Sequence, residues 1–501
     1  MSNFTKTINV KGGSIRGEFV DGSIASFKGI PYAAPPVKEL RFKPPGEVVP
    51  WEGVKDCTEF LSSPLQNAIG FNDLWTEEFL IRNQNFSEDC LTLNLWTDLD
   101  KEKQPVIVYL YGGGFVSGGS SCDIYDGTEL ARRGAIYVTF NHREGTLALF
   151  SHKELTEKSE HHASGNYLLM DDIAALKWVK ENIASFGGDP DNITLMGQSS
   201  GASEVNMLSV SPLTSGLFNN TFSMSFNNYV GYARPVMSLE EGYAASQKLL
   251  DNANKTVEDL LTQDVGEFLK DDTIRNLNLD GYVLDKTFKN GVLSGRTNDK
   301  VTVMGAVPGD NLMAGFFSDM WLKGERVTEK VQITDAMKEF FKDDYEKACE
   351  VYDVDNTDVQ DLKNIIDEDF LISSMLYFVQ GRNKSKDDKT LPVYIYYYVH
   401  PMPGPMAKKF GAFHSCEVPY FTHVFSDLRK EYWQDEDFAL GDYLCEELAY
   451  FAQNGSMKDK NYIPSDGSNY FRIDAGEKKN VVFPKDKLDL WINGFLNDRR
   501  G

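Results

Sequence analysis

The sequence predicts an α/β fold in which one large, mainly parallel sheet is covered by helices, with an N-terminal hairpin and helical segments inserted late in the chain. Three observations carry this reading. Apolar runs at 91–96, 106–110, 135–140 and 193–196 are bounded by breakers and read as central strands. Between the third and fourth runs, Ile173, Leu176, Val179 and Ile183 recur at helical spacing, and Phe186-Gly187-Gly188-Asp189-Pro190 stops them. The fourth run then meets Gly197-Gln198-Ser199-Ser200-Gly201, where a strand would turn sharply into a helix.

The elements follow in order. Residues 14–19 and 23–27 flank Val20-Asp21-Gly22 and read as the hairpin. Proline-rich coil follows through Pro45, ahead of the first central strand. Beyond the turn at Ser199 the composition shifts. Segments 251–277 and 330–380 are Lys- and Asp-rich with helical patterning, and are expected to lie outside the sheet as a lid. Strand character returns at 301–304 and 393–398, and residues 488–495 form a closing amphipathic helix. No repeat or linker interrupts the chain. One domain over 1–501 is therefore expected, with lid or cap insertions within 230–300 and 325–390.

Composition narrows the partners. With 501 residues, 41% hydrophobic and 25% charged, the chain has ample material for a packed core. Its formal charge of −24 opposes binding to nucleic acid or an anionic membrane surface. The start, Met1-Ser2-Asn3-Phe4-Thr5, has no apolar leader, and no run approaches the about 18 apolar residues of a membrane span. A cytoplasmic monomer or homodimer is expected. Cys57, Cys90, Cys122, Cys349, Cys416 and Cys445 lack metal-ligand spacing and read as free thiols. His161-His162 reads as a surface pair, so no metal and no organic cofactor are expected.

The chemistry starts from Ser199. A serine hydroxyl is a weak nucleophile at neutral pH, so acyl transfer needs a histidine base, an acid to orient it and donors for the oxyanion. His400, His414 and His423 lie in the C-terminal region, and His414 is the best placed, in a glycine-containing loop after the 393–398 strand. Asp310 lies on a loop just beyond the 301–304 strand and is the candidate acid. The 106–110 strand ends in Tyr111-Gly112-Gly113-Gly114-Phe115, where backbone N–H groups can approach a developing negative charge. Gly113, Gly114 and the N–H of Ser200 are the candidate oxyanion hole. A phosphate loop is disfavoured, since no Gly-Lys-Ser/Thr follows.

At this point the chain resembles the type-B carboxylesterases, the α/β-hydrolase family of carboxylesterases, cholinesterases and para-nitrobenzyl esterases. The resemblance rests on Phe27-Lys28-Gly29-Ile30-Pro31-Tyr32-Ala33 with Leu40-Arg41-Phe42, and on Ser87-Glu88-Asp89-Cys90-Leu91-Thr92-Leu93-Asn94. It continues through Phe186-Gly187-Gly188-Asp189-Pro190, the pentapeptide at Ser199 and Gly411-Ala412-Phe413-His414. It implies a Ser199, Asp310, His414 triad, the oxyanion hole above, and buried ion pairs of Arg41 with Glu88 and Arg143 with Asp171. Glu417 matches a family position and reads as a loop-fixing carboxylate.

Four departures from the family pattern bear on function. Asp310 stands where many members have Glu, and a one-residue shift would leave Asn311 in the acid's place. Tyr111 replaces a His found in many relatives. Cys90 has no partner in Ser62-Ser63-Pro64-Leu65-Gln66, where the family's N-terminal disulfide would close. Leu80 holds the position of the choline-binding aromatic, with Trp75 nearby but out of register, so choline esters are not the expected substrate. The resemblance implies a serine carboxylesterase acting on small to medium esters. A lipase or an aryl or feruloyl esterase is the alternative, followed by a non-catalytic binding protein of the same fold.

Overall fold

Every residue of Thr92–Asp98, Gln104–Leu110, Ile136–Phe140, Asn220–Met224, Val301–Ala306 and Val393–Tyr398 is buried, the condition of strands covered on both faces. The computed structural model describes residues 3–67, 75–230, 235–263, 266–271, 273–311, 315–318, 320, 326–384, 391–405 and 407–497. The rest of the expected lid segments, at 231–234, 264–265, 272, 325 and 385–390, lies outside the described residues.

The central sheet has eleven strands. In chain order they are β1 (Glu18–Asp21), β2 (Ile24–Pro31), β3 (Thr92–Asp98), β4 (Gln104–Leu110), β5 (Ile136–Phe140), β6 (Gly188–Gln198), β7 (Asn220–Met224), β8 (Val301–Ala306), β9 (Val393–Tyr398), β10 (Asn469–Ile473) and β11 (Lys478–Val482). Their spatial order is β11-β10-β9-β8-β7-β6-β4-β5-β3-β2-β1. The seven strands from β10 to β5 in that order pair in parallel, and both edges are antiparallel.

The hairpin forms, but from a shorter first strand than expected. β1 pairs with β2 in the register Glu18↔Ser26 and Phe19↔Ala25, and the chain turns at Gly22, whose φ is +54°. Residues Gly13–Arg16 belong instead to a separate three-stranded sheet with Ile8–Val10 and Val54–Asp56. The break falls at Gly17, where an added Cβ would run into the Ser26 carbonyl and the Phe27 ring, so that a side chain has no room.

Helix α1 (Tyr167–Asn182) holds Ile173, Leu176 and Val179 of the expected spacing, with Ile183 in the 3₁₀ turn that follows, while α2 (Ser200–Val210) follows β6 directly. Later in the chain come α3 (Leu239–Ala253), α4 (Val257–Thr262), α5 (Lys330–Phe341), α6 (Val359–Lys384) and α7 (Lys485–Asn497). Trp491 of α7 joins α5 and α6, its ring 5.0 Å from Phe341, 5.3 Å from Phe340 and 5.7 Å from Phe370. Among the described residues, no helix is long and apolar enough to cross a membrane. His161 and His162 are exposed, and the six cysteines are free thiols.

Candidate active site

Ser199 sits between the last residue of β6 and the first of α2, with φ +58° and ψ −123°. This conformation costs an L-residue on the order of 1–3 kcal/mol and persists only where the surroundings enforce it. Here the Ser199 N–H donates to the Met224 carbonyl at 3.0 Å, and its own carbonyl accepts from the Ser203 N–H at 3.1 Å. The flanking glycines make the turn possible. A Cβ on Gly201 would be driven into the carbonyl oxygens of Leu110 and Tyr111, and one on Gly197 into the backbone of Gly201. The strand, helix and neighbouring strand are thus packed backbone to backbone, and the serine side chain is left pointing outward, half-buried.

Two more parallel strands deliver the other side chains to the same end of the sheet. Beyond β8 a 3₁₀ turn, Pro308–Asp310, carries Asp310, whose Oδ2 accepts from the Val307 N–H at 2.9 Å. The loop after β9 carries His414, held against that turn by the Gly309 N–H donating to the Ala412 carbonyl at 2.9 Å. Asp310 Oδ1 lies 2.6 Å from His414 Nδ1, and His414 Nε2 lies 2.8 Å from Ser199 Oγ. Because a carboxylate can only accept, Nδ1 carries the proton and Nε2 presents its lone pair to the serine hydroxyl. Asp310 and His414 are 1% and 4% exposed, so the dipoles act with little screening by water. Burial opposes charge on His414, but the hydrogen bond and charge of Asp310 outweigh it and raise the imidazole pKa above its ordinary value.

The glycine loop after β4 lies against the nucleophile. A Cβ on Gly112 would sit 2.8 Å from Ser199 Cβ, and one on Gly113 would enter the Ser117 carbonyl. Gly114 and Phe115 take positive φ, +69° and +65°, turning this stretch of backbone toward the serine. The Gly114 N–H donates to Ser200 Oγ at 2.9 Å. Gly113, Gly114 and Ser200 are thereby gathered at one side of Ser199.

Some neighbours of the site were not legible as such in the sequence. The Gln198 carboxamide lies 3.3 Å from His414 Nε2. The Ser200 hydroxyl, rather than its N–H alone, engages the glycine loop. Trp75 donates its indole N–H to the His414 carbonyl at 3.4 Å, from far away in the chain. None of these carries a pattern of its own, since each is defined by where a distant loop comes to rest. Glu417 accepts from the Ser225 hydroxyl at 2.7 Å, and burial, followed by the nearby Asp310 charge, pushes its pKa up to about 7.

The ion pairs expected of the scaffold form. Arg143 Nε and Nη2 reach the two Asp171 oxygens at 2.8 and 2.6 Å, and Arg41 reaches Glu88 at 2.5 and 2.8 Å. Arg143 also donates to the Arg41 carbonyl at 2.9 Å, and Arg41 to the carbonyl of Leu260 in α4. Tyr111 is buried, its ring stacked on His142 at 4.5 Å.

A sequence model described as the carboxylesterase family matches residues 5–491. The chain is 39% identical over 264 residues to a fumonisin B1 esterase of Sphingopyxis macrogoltabida, covering 52% of this chain and 46% of that protein. It is 38% identical over 231 residues to carboxylesterase 1D of Mus musculus, covering 44% of this chain and 39% of that protein. These alignments span about half or less of the curated relatives' length. Two structures of a PNB esterase superpose with TM-scores of 0.74 and 0.77 at 24% identity, each covering 97% of this chain and 99% of the other. At that identity the likeness is one of fold.

Proposed function

We propose, because the chain belongs to the carboxylesterase family, that it is a serine carboxylic-ester hydrolase working through an acyl-enzyme. The observation that carries this reading is the unbroken contact from Asp310 Oδ1 through the His414 ring to Ser199 Oγ, at 2.6 and 2.8 Å. Ser199 attacks the ester carbonyl while His414 Nε2 takes its proton, and Asp310 holds the tautomer and the imidazolium charge. The N–H groups of Gly113, Gly114 and Ser200 stabilise the oxyanion once the Ser200 hydroxyl turns away from Gly114. His414 then returns the proton to the leaving alcohol, and water resolves the acyl-enzyme by the same route.

The substrates are small to medium carboxylic esters. Aromatic side chains beside the histidine loop favour aryl esters as a second reading: Trp75 bonds to the His414 carbonyl, and Phe79 meets Phe413 edge-on at 5.7 Å. The segments within 230–300 and 325–390 serve as a cap over the cleft. In support, Arg41 holds the Leu260 carbonyl and the Thr146 hydroxyl donates to the Asp271 carbonyl at 2.9 Å, which ties the cap to the scaffold. The free thiols support a reducing compartment, the cytoplasm.

The test is hydrolysis of p-nitrophenyl esters of increasing chain length, with aryl and cinnamoyl esters, alongside labelling by a fluorophosphonate. Ser199→Ala is expected to lose labelling and at least about 10⁴-fold in kcat. Hydrolysis by Ser199→Ala at the wild-type rate, or a wild type that resists the probe, overturns the proposal.

A further inference from the structure

Beneath the nucleophile turn lies a group of side chains that ester hydrolysis does not use. His142 follows β5, Asp172 sits in α1 and Glu204 in α2, and all three are 1% exposed or less. One ligand-capable atom from each lies within 4.8 Å of the others, and His142 Nε2 is 3.5 Å from Glu204 Oε2. Two buried carboxyls thus gather at one end of this imidazole, and a third, Glu144, lies 3.8 Å from its Nδ1.

The hydrogen bonding around them is one-sided. His142 Nδ1 lies 3.0 Å from the Arg143 carbonyl, which can only accept, so Nδ1 carries the proton and Nε2 is a lone pair. Among the described residues, no donor reaches Nε2, either oxygen of Asp172 or either oxygen of Glu204. No outside donor therefore enters this group, and the Asp172 and Glu204 carboxyls reach only each other. Buried polar groups are ordinarily satisfied, and two carboxylates cannot both stay ionised at this separation without a compensating cation. The guanidinium of the adjoining Arg143 is committed to Asp171 and the Arg41 carbonyl.

We propose that His142 Nε2, Asp172 and Glu204 bind a divalent first-row transition-metal ion, zinc by ligand type, as a structural centre under the nucleophile turn. An imidazole whose other nitrogen is held by a backbone carbonyl is the usual state of a metal-bound histidine. Two carboxylates offset the ion's charge. One nitrogen and two oxygens are a zinc-type set, and ligand distances of about 2.0–2.2 Å need only small inward movements of these side chains. Calcium, which takes six to eight oxygens, does not suit a site with an imidazole and so few oxygens. The centre joins β5, α1 and α2, and Tyr111, stacked on the His142 ring, connects it to the glycine loop. Its ligands are separated by 30 residues and more in sequence, so no spacing motif announces them.

The experiment measures metal in the intact protein, by elemental analysis after exhaustive dialysis and by visible absorption after growth in cobalt medium. About one equivalent of zinc is expected in the first case, and tetrahedral Co²⁺ d–d bands in the second. Asp172→Asn and Glu204→Gln, which preserve side-chain shape, are expected to drop below about a tenth of an equivalent and lose the bands. Replacing the exposed His161 by Ala is expected to change neither. Circular dichroism confirms that the amide variants are folded, and an apparent melting temperature that falls on chelation in wild type alone supports the centre. Wild type carrying less than about a tenth of an equivalent from both media overturns it. So do amide variants that keep the cobalt bands, or that melt at or above the wild-type temperature; the last result identifies a carboxyl pair sharing one proton.

Discussion

Asp310 is the residue whose replacement separates geometry from charge. Asp310→Asn keeps the side-chain shape but removes the carboxylate that fixes the His414 tautomer, and kcat is expected to fall about 10⁴-fold. The pH profile moves as well. The proposed reaction needs neutral His414, so kcat/KM is expected to fall as pH drops through its pKa, which Asp310 holds above the ordinary histidine value against the opposing effect of burial. In Asp310→Asn burial is opposed only by the smaller effect of the Glu417 charge, and the acid limb is expected to shift to lower pH, which a pH–rate profile of both proteins checks. Ser200→Ala removes the acceptor that engages Gly114 in the free protein. Since one such hydrogen bond is worth about 0.5–1.5 kcal/mol net, kcat/KM is expected to rise by up to about tenfold in steady-state assays. The pentapeptide and the three glycines were legible because those backbone shapes need glycine. The roles of Gln198 and the Ser200 hydroxyl were not, because each depends on a loop far away in sequence.

At the scale of elements, the Arg143–Asp171 pair shows how the scaffold is tied together. Arg143 is fully buried and joins the segment after β5 to α1 and to the Arg41 backbone, while Arg41 grips α4. Arg143→Met strands Asp171 as an unpaired buried charge, and urea unfolding is expected to show a loss of about 3–5 kcal/mol. The strands that announced themselves carry long apolar runs, as β4 does from Val106 to Leu110. β7 reads Asn-Thr-Phe-Ser-Met and did not, although it lies at the centre of the sheet. Its polar side chains are satisfied inside: the Thr221 hydroxyl donates to Thr302 Oγ1 at 3.1 Å and the Ser223 hydroxyl to Asn206 Oδ1 at 2.8 Å. Such a strand is recognisable only once its neighbours are known. The same holds for the break at Gly17, which follows from a ring and a carbonyl that the hairpin brings into place.

Across the whole molecule, the charge of −24 has a kinetic consequence. A cationic ester is expected to lose kcat/KM as salt rises from low ionic strength to about 0.15 M, several-fold more than its neutral counterpart, because the field that attracts it is screened. Equal salt dependence for the two esters would show that the field does not reach the cleft. The topology has a consequence of another kind. Asp310 and His414 are 104 residues apart, Ser199 and His414 are 215 apart, and Trp75 meets His414 across 339. Contacts this remote close late, after the loop entropy between them has been overcome. On the proposed mechanism, a nascent chain on the ribosome is therefore expected to stay inert until most of its length has emerged, and no fragment ending before residue 414 is expected to hydrolyse esters. Recovered turnover is in this respect a stricter gauge of complete refolding than recovered helix content.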